Sequence, residues 1–130
     1  MRKTILFIDD DQDDRDLLRE ELLSVDNKIS VAEVENGLLG LQFLTQAEQA
    51  GSLPCLIVLD LNMPVLDGKQ TFQKINENQP LRNIPLVVYT SSSNPNDQAY
   101  FNNHGVKYFV KPASHKIMKE IANEIAATCR

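Results

Sequence analysis

Four of the five short apolar runs in this chain stop at a side chain able to do polar chemistry, and that pattern constrains the fold more than any other feature. The runs are Ile5–Ile8, Ile29–Val34, Leu56–Leu59, Leu86–Tyr89 and the shorter Tyr108–Val110. They are rich in β-branched and aromatic residues and nearly continuous, which suits strands buried on both faces, as a parallel sheet requires. The first stops at Asp9-Asp10-Asp11, the third at Asp60, the fourth at Thr90-Ser91 and the fifth at Lys111-Pro112.

Between the runs lie stretches of helical periodicity. Leu17, Leu18 and Leu22 share a face after Asp13-Asp14; Leu38, Leu41 and Leu44 recur at threes with Leu39 and Phe43 alongside. Phe72 and Ile75 mark a third stripe, and Ile117, Met118, Ile121, Ala122 and Ile125 the clearest one. Asn36-Gly37 closes the second run, and Pro54, Pro80 and Pro85 fall before or between elements, where a missing N–H does little harm. Asn94-Pro95 reads as an N-cap with proline at the first helical position, and Gly105 as the residue beyond that helix. Strands alternating with helices, five of each, predict right-handed βαβ units and a doubly wound parallel α/β sheet. At 130 residues the expectation is one domain over residues 1–130, with no repeat, linker or low-complexity tract.

In an open parallel sheet the carboxyl ends of the strands form one edge, and ligands bind in the crevice there. Residues distant in sequence, Asp9, Asp10, Asp60, Thr90 and Lys111, are therefore expected in one pocket. Two like charges about 4 Å apart repel by roughly 1–4 kcal/mol between aqueous and protein-surface dielectrics, so clustered carboxylates need compensating cations. Lys111 supplies one charge. A hard divalent ion such as Mg²⁺, which takes oxygen ligands and usually binds one or two carboxylates plus a substrate phosphate, is the natural second. An aspartate so placed can act as a covalent nucleophile toward phosphorus. Catalysis of phosphoryl transfer is then mainly positioning and electrostatics, with Mg²⁺, Lys111 and Thr90 each meeting one equatorial oxygen.

The order and spacing of these motifs resemble the response-regulator receiver domain. The segments that carry the likeness are Ile5-Leu6-Phe7-Ile8-Asp9-Asp10, Leu59-Asp60-Leu61-Asn62-Met63-Pro64 followed by Asp67-Gly68, Val88-Tyr89-Thr90-Ser91, and Tyr108-Phe109-Val110-Lys111-Pro112. Asp13-Asp14 and Pro80-Leu81-Arg82-Asn83-Ile84-Pro85 look like stand-alone members. The resemblance implies a flavodoxin-like strand order 2-1-3-4-5 and a role in two-component phosphorelay signalling. Asp60 would accept a phosphoryl group from a histidine kinase or phosphotransfer protein in a Mg²⁺-dependent reaction. Asp10 would ligate the metal directly, Asp9 largely through a bound water, and Asn62 by its backbone carbonyl. Thr90 would bind a phosphoryl oxygen and reorient, Lys111 would pair with the phosphoryl group before a cis peptide at Pro112, and Tyr108 would act as the aromatic switch. Such a chain assists its own phosphorylation and dephosphorylation and is not an enzyme in the turnover sense. It would signal through an unidentified downstream protein or a homodimer on the face of the fourth helix, fifth strand and fifth helix.

Plainer readings apply to several neighbours. Asp11, Asp13 and Asp14 suit a solvated, anion-rich helix start, with Asp11 as a cap. Asp67-Gly68 reads as a turn and helix start; His104 and His115 read as exposed and not as ligands; Tyr100 and Phe101 read as packing residues. Cys55 reads as a small buried hydrophobe and Cys129 as a frayed terminal residue, the two cysteines having neither metal-site spacing nor disulfide-scaffold density. With 13 Lys and Arg against 18 Asp and Glu the net charge is −5, a poor match to nucleic-acid backbones or anionic lipid. The opening Met1-Arg2-Lys3 leads into too short an apolar run for a signal peptide or a membrane span, so a cytoplasmic location is expected. A constitutive binding module remains the second reading. An aspartate-nucleophile phosphatase is the third, disfavoured because Asn62 stands where such enzymes carry a proton-shuttling carboxylate. No Walker-type loop is present to suggest an NTPase.

Overall fold

The computed structural model describes residues 3–129; Met1, Arg2 and Arg130, with the expectations attached to them, lie outside the described residues. The elements are β1 (Lys3–Ile8), α1 (Gln12–Val25), β2 (Ile29–Val34), α2 (Gly37–Gln49), β3 (Leu56–Leu59), α3 (Gly68–Glu77), a 3₁₀ turn (Leu81–Asn83), β4 (Leu86–Thr90), α4 (Pro95–Asn103), β5 (Lys107–Val110) and α5 (His115–Thr128). The five strands form one parallel sheet in the order β2-β1-β3-β4-β5, as the family resemblance implied. The 3₁₀ turn was not foreseen and fills the proline-bracketed stretch before β4.

Burial on both faces holds for β3 entirely and for most of β1 and β4, but not for the edge strands β2 and β5, where every side chain except that of Ile29 is half-buried or exposed. Alternation along each central strand divides the core into two layers. Ile5 and Phe7 of β1, with Val58 and Tyr89, pack under Leu18 and Leu22 of α1 and Ile121 and Ile125 of α5. Leu6 and Ile8 face the other way, with Ile57, Leu59 and Val88, beneath Leu44 of α2, Phe72 and Ile75 of α3 and Phe101 of α4.

The caps follow the sequence. Asp11 caps α1 by accepting the Asp14 N–H, Asn94 caps α4 with Pro95 at the first turn, and Gly105 beyond α4 has φ of 71°. Asp67 caps α3 in a reciprocal box with Gln70, confirming it as a helix start.

The stripes are narrower than the periodicity suggested. Leu17, Leu38 and Ile117 are each nearly half exposed, while Leu18, Leu44 and Ile121 are buried. In α2 the cause is Gly40: a Cβ there would stand 2.6 Å from Ile8 Cδ1, so the helix rests on its glycine and turns Leu38 outward.

The cysteine readings need correction. Cys129 is buried, not frayed, and is joined to Cys55 by a disulfide with a Cα–Cα distance of 5.1 Å. Compact packing of α5 against the start of β3 brings together thiols 74 residues apart, which spacing alone does not reveal. Among the described residues no helix is long and apolar enough to cross a membrane.

Among the described residues, one non-glycine sits in disfavoured backbone. Val65, in the loop after β3, has φ of 71° and is 74% exposed. A β-branched residue there costs on the order of 1 kcal/mol against Asn, which tolerates the left-handed region. Val65→Asn is therefore expected to raise unfolding free energy by about 0.5–1 kcal/mol, read as a higher urea midpoint at unchanged m-value.

Candidate functional site

Strand register assembles the site. Ile8 pairs with Leu59, and the Asp60 N–H donates to the Ile8 carbonyl (3.0 Å), so Asp9 and Asp60 leave adjacent strands side by side. Thr90 pairs with Val110, and the Lys111 N–H donates to the Thr90 carbonyl (2.8 Å). Asp10 starts the loop into α1. One carboxylate oxygen from each of Asp9, Asp10 and Asp60 falls within 4.8 Å of the others.

Asp9 is fully buried, Asp60 and Thr90 are buried, and Asp10 is exposed. The Leu61 N–H donates to Asp60 Oδ1 (2.8 Å), fixing that carboxylate. Lys111 Nζ lies 2.8 Å from Asp9 Oδ2, 2.8 Å from Asp14 Oδ2 and 3.6 Å from Asp60 Oδ2. Asp9 Oδ2 is buried and faces the Lys111 ammonium. Three clustered carboxylates against one ammonium leave negative charge that a divalent cation would balance, and the oxygen-only donor set suits a hard ion. Asn62 is exposed in the following loop and lines, with Leu61, Asp67, Lys69 and Asp97, a cleft of about 240 Å³ beside the acids.

Electrostatics record the crowding. Burial lifts the Asp9 carboxyl from its ordinary 3.8 to about 6; Lys111 and the Asp11 N–H oppose this, and the charge of Asp60 adds to it. Burial works against the Lys111 ammonium, but Asp14, Asp9 and Asp60 outweigh it and push the Lys111 pKa up. Tyr89, buried beneath this group with Lys111 Nζ 5.9 Å from its ring centre, is raised to about 12, mainly by desolvation.

The Asp9 shift has a consequence for metal-free protein. A folded pKa above the unfolded one means the folded state holds the extra proton, so this contribution favours folding at low pH. It is lost as pH rises from about 4 to about 6, leaving the full penalty at pH 7. Asp9→Asn is expected to add about 1–2 kcal/mol to stability at pH 7 in chelator and to flatten the pH dependence in that window. Urea unfolding of both proteins across pH 4–7 checks this.

Tyr108, half-buried against Phe101, donates its hydroxyl to the Ser92 carbonyl (2.7 Å) in the loop after β4. Ser92 Oγ in turn donates to Asp97 (3.0 Å), which is paired with Lys69 of α3 (2.8 Å). The Lys111–Pro112 peptide is trans, correcting the cis bond that the resemblance implied; trans is the lower-energy form of most such bonds. His104 and His115 are exposed, as expected.

The sequence reading missed Asp14. Treated as part of a solvated helix start, it reaches instead into the site and hydrogen-bonds Lys111. Local spacing offered no signal, because Asp10 precedes the N-cap of α1 while Asp14 lies in its first turn.

The family model described as "Response regulator receiver domain" matches residues 5–123. In overall structure the chain is similar to the phosphorylated cyanobacterial phytochrome response regulator RcpA, with a TM-score of 0.88, 29% identity and coverage of 99% of this chain and 94% of that one. It is also similar to the Mn²⁺-bound form of response regulator Rcp1, with a TM-score of 0.84, 32% identity and coverage of 96% and 92%. By sequence it is 35% identical over 99 residues to Rcp1 of Synechocystis, covering 73% of this chain and 66% of the relative. It is 35% identical over 94 residues to FilR2, a regulatory protein of Methanothrix harundinacea, covering 71% and 61%. The chain thus spans slightly under two thirds of the length of these two curated relatives.

Proposed function

The chain belongs to the response regulator receiver domain family, and from that premise we propose that Asp60 accepts a phosphoryl group from a partner histidine kinase or phosphotransfer protein in a Mg²⁺-dependent reaction. Two-component signalling is the setting. The observation that carries the reading is the pocket itself: Lys111 Nζ stands 3.6 Å from Asp60 Oδ2, with the Asp9 and Asp10 carboxylates gathered beside it.

In this reaction an Asp60 oxygen forms a bond to phosphorus as the bond from phosphorus to the donor breaks, the leaving group departing with that electron pair. A divalent ion held by Asp9, Asp10, Asp60 and the Asn62 carbonyl would supply positive charge against the phosphoryl oxygens. The Leu61 N–H orients the nucleophile, Lys111 offers a second positive charge and Thr90 a hydroxyl. Asn62 carries no carboxylate for proton shuttling, which favours a held phosphoryl group over rapid phosphatase turnover.

The output route runs from Thr90 to Tyr108. Drawing the Thr90 hydroxyl toward a phosphoryl oxygen would disturb Ser92, whose N–H donates to Thr90 Oγ1 (3.3 Å) and whose carbonyl holds Tyr108. Release of that hydroxyl would change the α4-β5-α5 face, where Val110 and Ile117 are 38% and 47% exposed, for a downstream protein or a second copy of the chain. A coupling free energy of about 1–3 kcal/mol suffices for such a switch. We place the protein in the cytoplasm. Because RcpA is a phytochrome response regulator, a light-sensing histidine kinase is the first donor to test.

Incubation with acetyl phosphate should give one base-labile phosphoryl adduct in Mg²⁺ and none in excess chelator, read by intact mass. Equal labelling in chelator contradicts the metal requirement, and no labelling in either contradicts the phosphoacceptor role.

A further inference from the structure

The Lys111 ammonium hydrogen-bonds Asp14 and is ion-paired with Asp9 at the same distance, while Asp60, the proposed phosphoacceptor, stands farther off. The ammonium is 2.8 Å from Asp14 Oδ2, 2.8 Å from the buried Asp9 Oδ2 and 3.6 Å from Asp60 Oδ2, and of the two nearer carboxylates Asp14 is the one outside the three-acid cluster. Asp14 belongs to the first turn of α1, 97 residues from Lys111 in sequence, and its backbone N–H is separately engaged by the cap Asp11. Its side chain is 34% exposed and that of Lys111 12%. The pair therefore sits at the mouth of the pocket, partly screened by water and outside the three-acid cluster.

We propose that Asp14 is an internal competitor for Lys111, holding the ammonium in the unphosphorylated protein and yielding it to the phosphoryl group on Asp60. The inference rests on the phosphoacceptor reading given above and adds a positioning residue to it. The physical basis is exchange between anions. A lysine ammonium is one compact charge with rotatable donors on a flexible stem, so it can pass between neighbouring anions. While Asp14 holds the ammonium, the phosphoryl oxygens must displace a carboxylate before they can be neutralised. The negative charge of Asp14 also stands close enough to oppose a dianionic phosphoryl group. Asp14 thus weakens capture of the phosphoryl group in the resting state and supplies a place for the lysine to return to on its loss.

The test uses beryllofluoride with Mg²⁺ as a phosphoryl stand-in, titrated into wild type, Asp14→Asn, Asp14→Ala and Asp13→Asn and followed by fluorine NMR. The nitrogen resonance of the Lys111 ammonium is recorded in the free and bound states. Asp13 is exposed, lies in the same helical turn and is not among the carboxylates paired with Lys111, so Asp13→Asn reports the general effect of losing one nearby charge. Removal of a partly exposed charged hydrogen bond should tighten beryllofluoride binding roughly three- to tenfold in both Asp14 variants. Asp13→Asn should stay within about twofold of wild type. In the free Asp14 variants the Lys111 resonance should already move toward its bound position, which a change in helix stability alone would not produce. Affinity equal to that of Asp13→Asn, affinity weaker than wild type, or an unmoved Lys111 resonance would each overturn the proposal. Failure of wild type to bind beryllofluoride would overturn the phosphoacceptor reading and this proposal with it, so the two failures are distinguishable.

Discussion

Asp60→Asn is expected to abolish phosphoryl capture outright while leaving the fold intact. Asp60 is buried at the end of β3, and its Oδ1 already accepts the Leu61 N–H. An amide of the same shape can keep that bond through its own oxygen, so local geometry should persist. What disappears is the anionic nucleophile, since an uncharged amide cannot form the acyl phosphate. The substitution also removes one of the charges crowded around Asp9. The variant should therefore show no adduct after acetyl phosphate and Mg²⁺, together with unchanged or higher stability in chelator. A second adduct site, revealed by persistent labelling, would move the chemistry elsewhere on the molecule.

Gly68→Ala should have the largest effect on stability. Gly68 begins α3, and its N–H donates to the Leu61 carbonyl (3.0 Å). A Cβ at this position would stand 2.5 Å from the Asp60 carbonyl oxygen and 2.6 Å from Leu61 Cα. Those atoms are backbone, so no side chain can swing aside; either α3 retreats or the loop carrying Asp60 moves. Overpacking of this kind costs typically 1–3 kcal/mol, and backbone obstruction places it at or beyond the top of that range, about 3 kcal/mol. Urea unfolding should show that loss, and beryllofluoride binding should weaken with it, because the displaced backbone is that of the phosphoacceptor. A loss below about 1 kcal/mol would mean that α3 is not wedged against the site.

These two residues also show what the sequence made legible. Asp60 could be picked out because a buried strand ends there, and parallel strands bring their carboxyl ends to one edge. The same logic found Asp9, Asp10, Thr90 and Lys111, and local cap chemistry located Asp11, Asn94 and Gly105. Asp67-Gly68 was read as a turn and helix start, and α3 does begin there. The backbone contact that forbids a side chain there exists only after α3 docks. Asp14, too, looked like one more surface acid, because its partner lies 97 residues away and meets it only when β5 closes the sheet edge. The Cys55–Cys129 link depends in the same way on where α5 comes to rest. Leu17, Leu38 and Ile117 matched the helical period but fall outside the arc each helix buries, a width that periodicity does not specify. Local rules therefore located strand ends and caps, while tertiary docking decided the contacts among them.

The most direct measurement is a crystal structure of the protein with Mg²⁺ and beryllofluoride. The account predicts beryllium bonded to an Asp60 carboxylate oxygen, one cation among Asp9, Asp10, Asp60 and the Asn62 carbonyl, and Lys111 turned from Asp14 onto a fluorine. Beryllofluoride bound to any other carboxylate, or a cation lodged away from those acids, would contradict it.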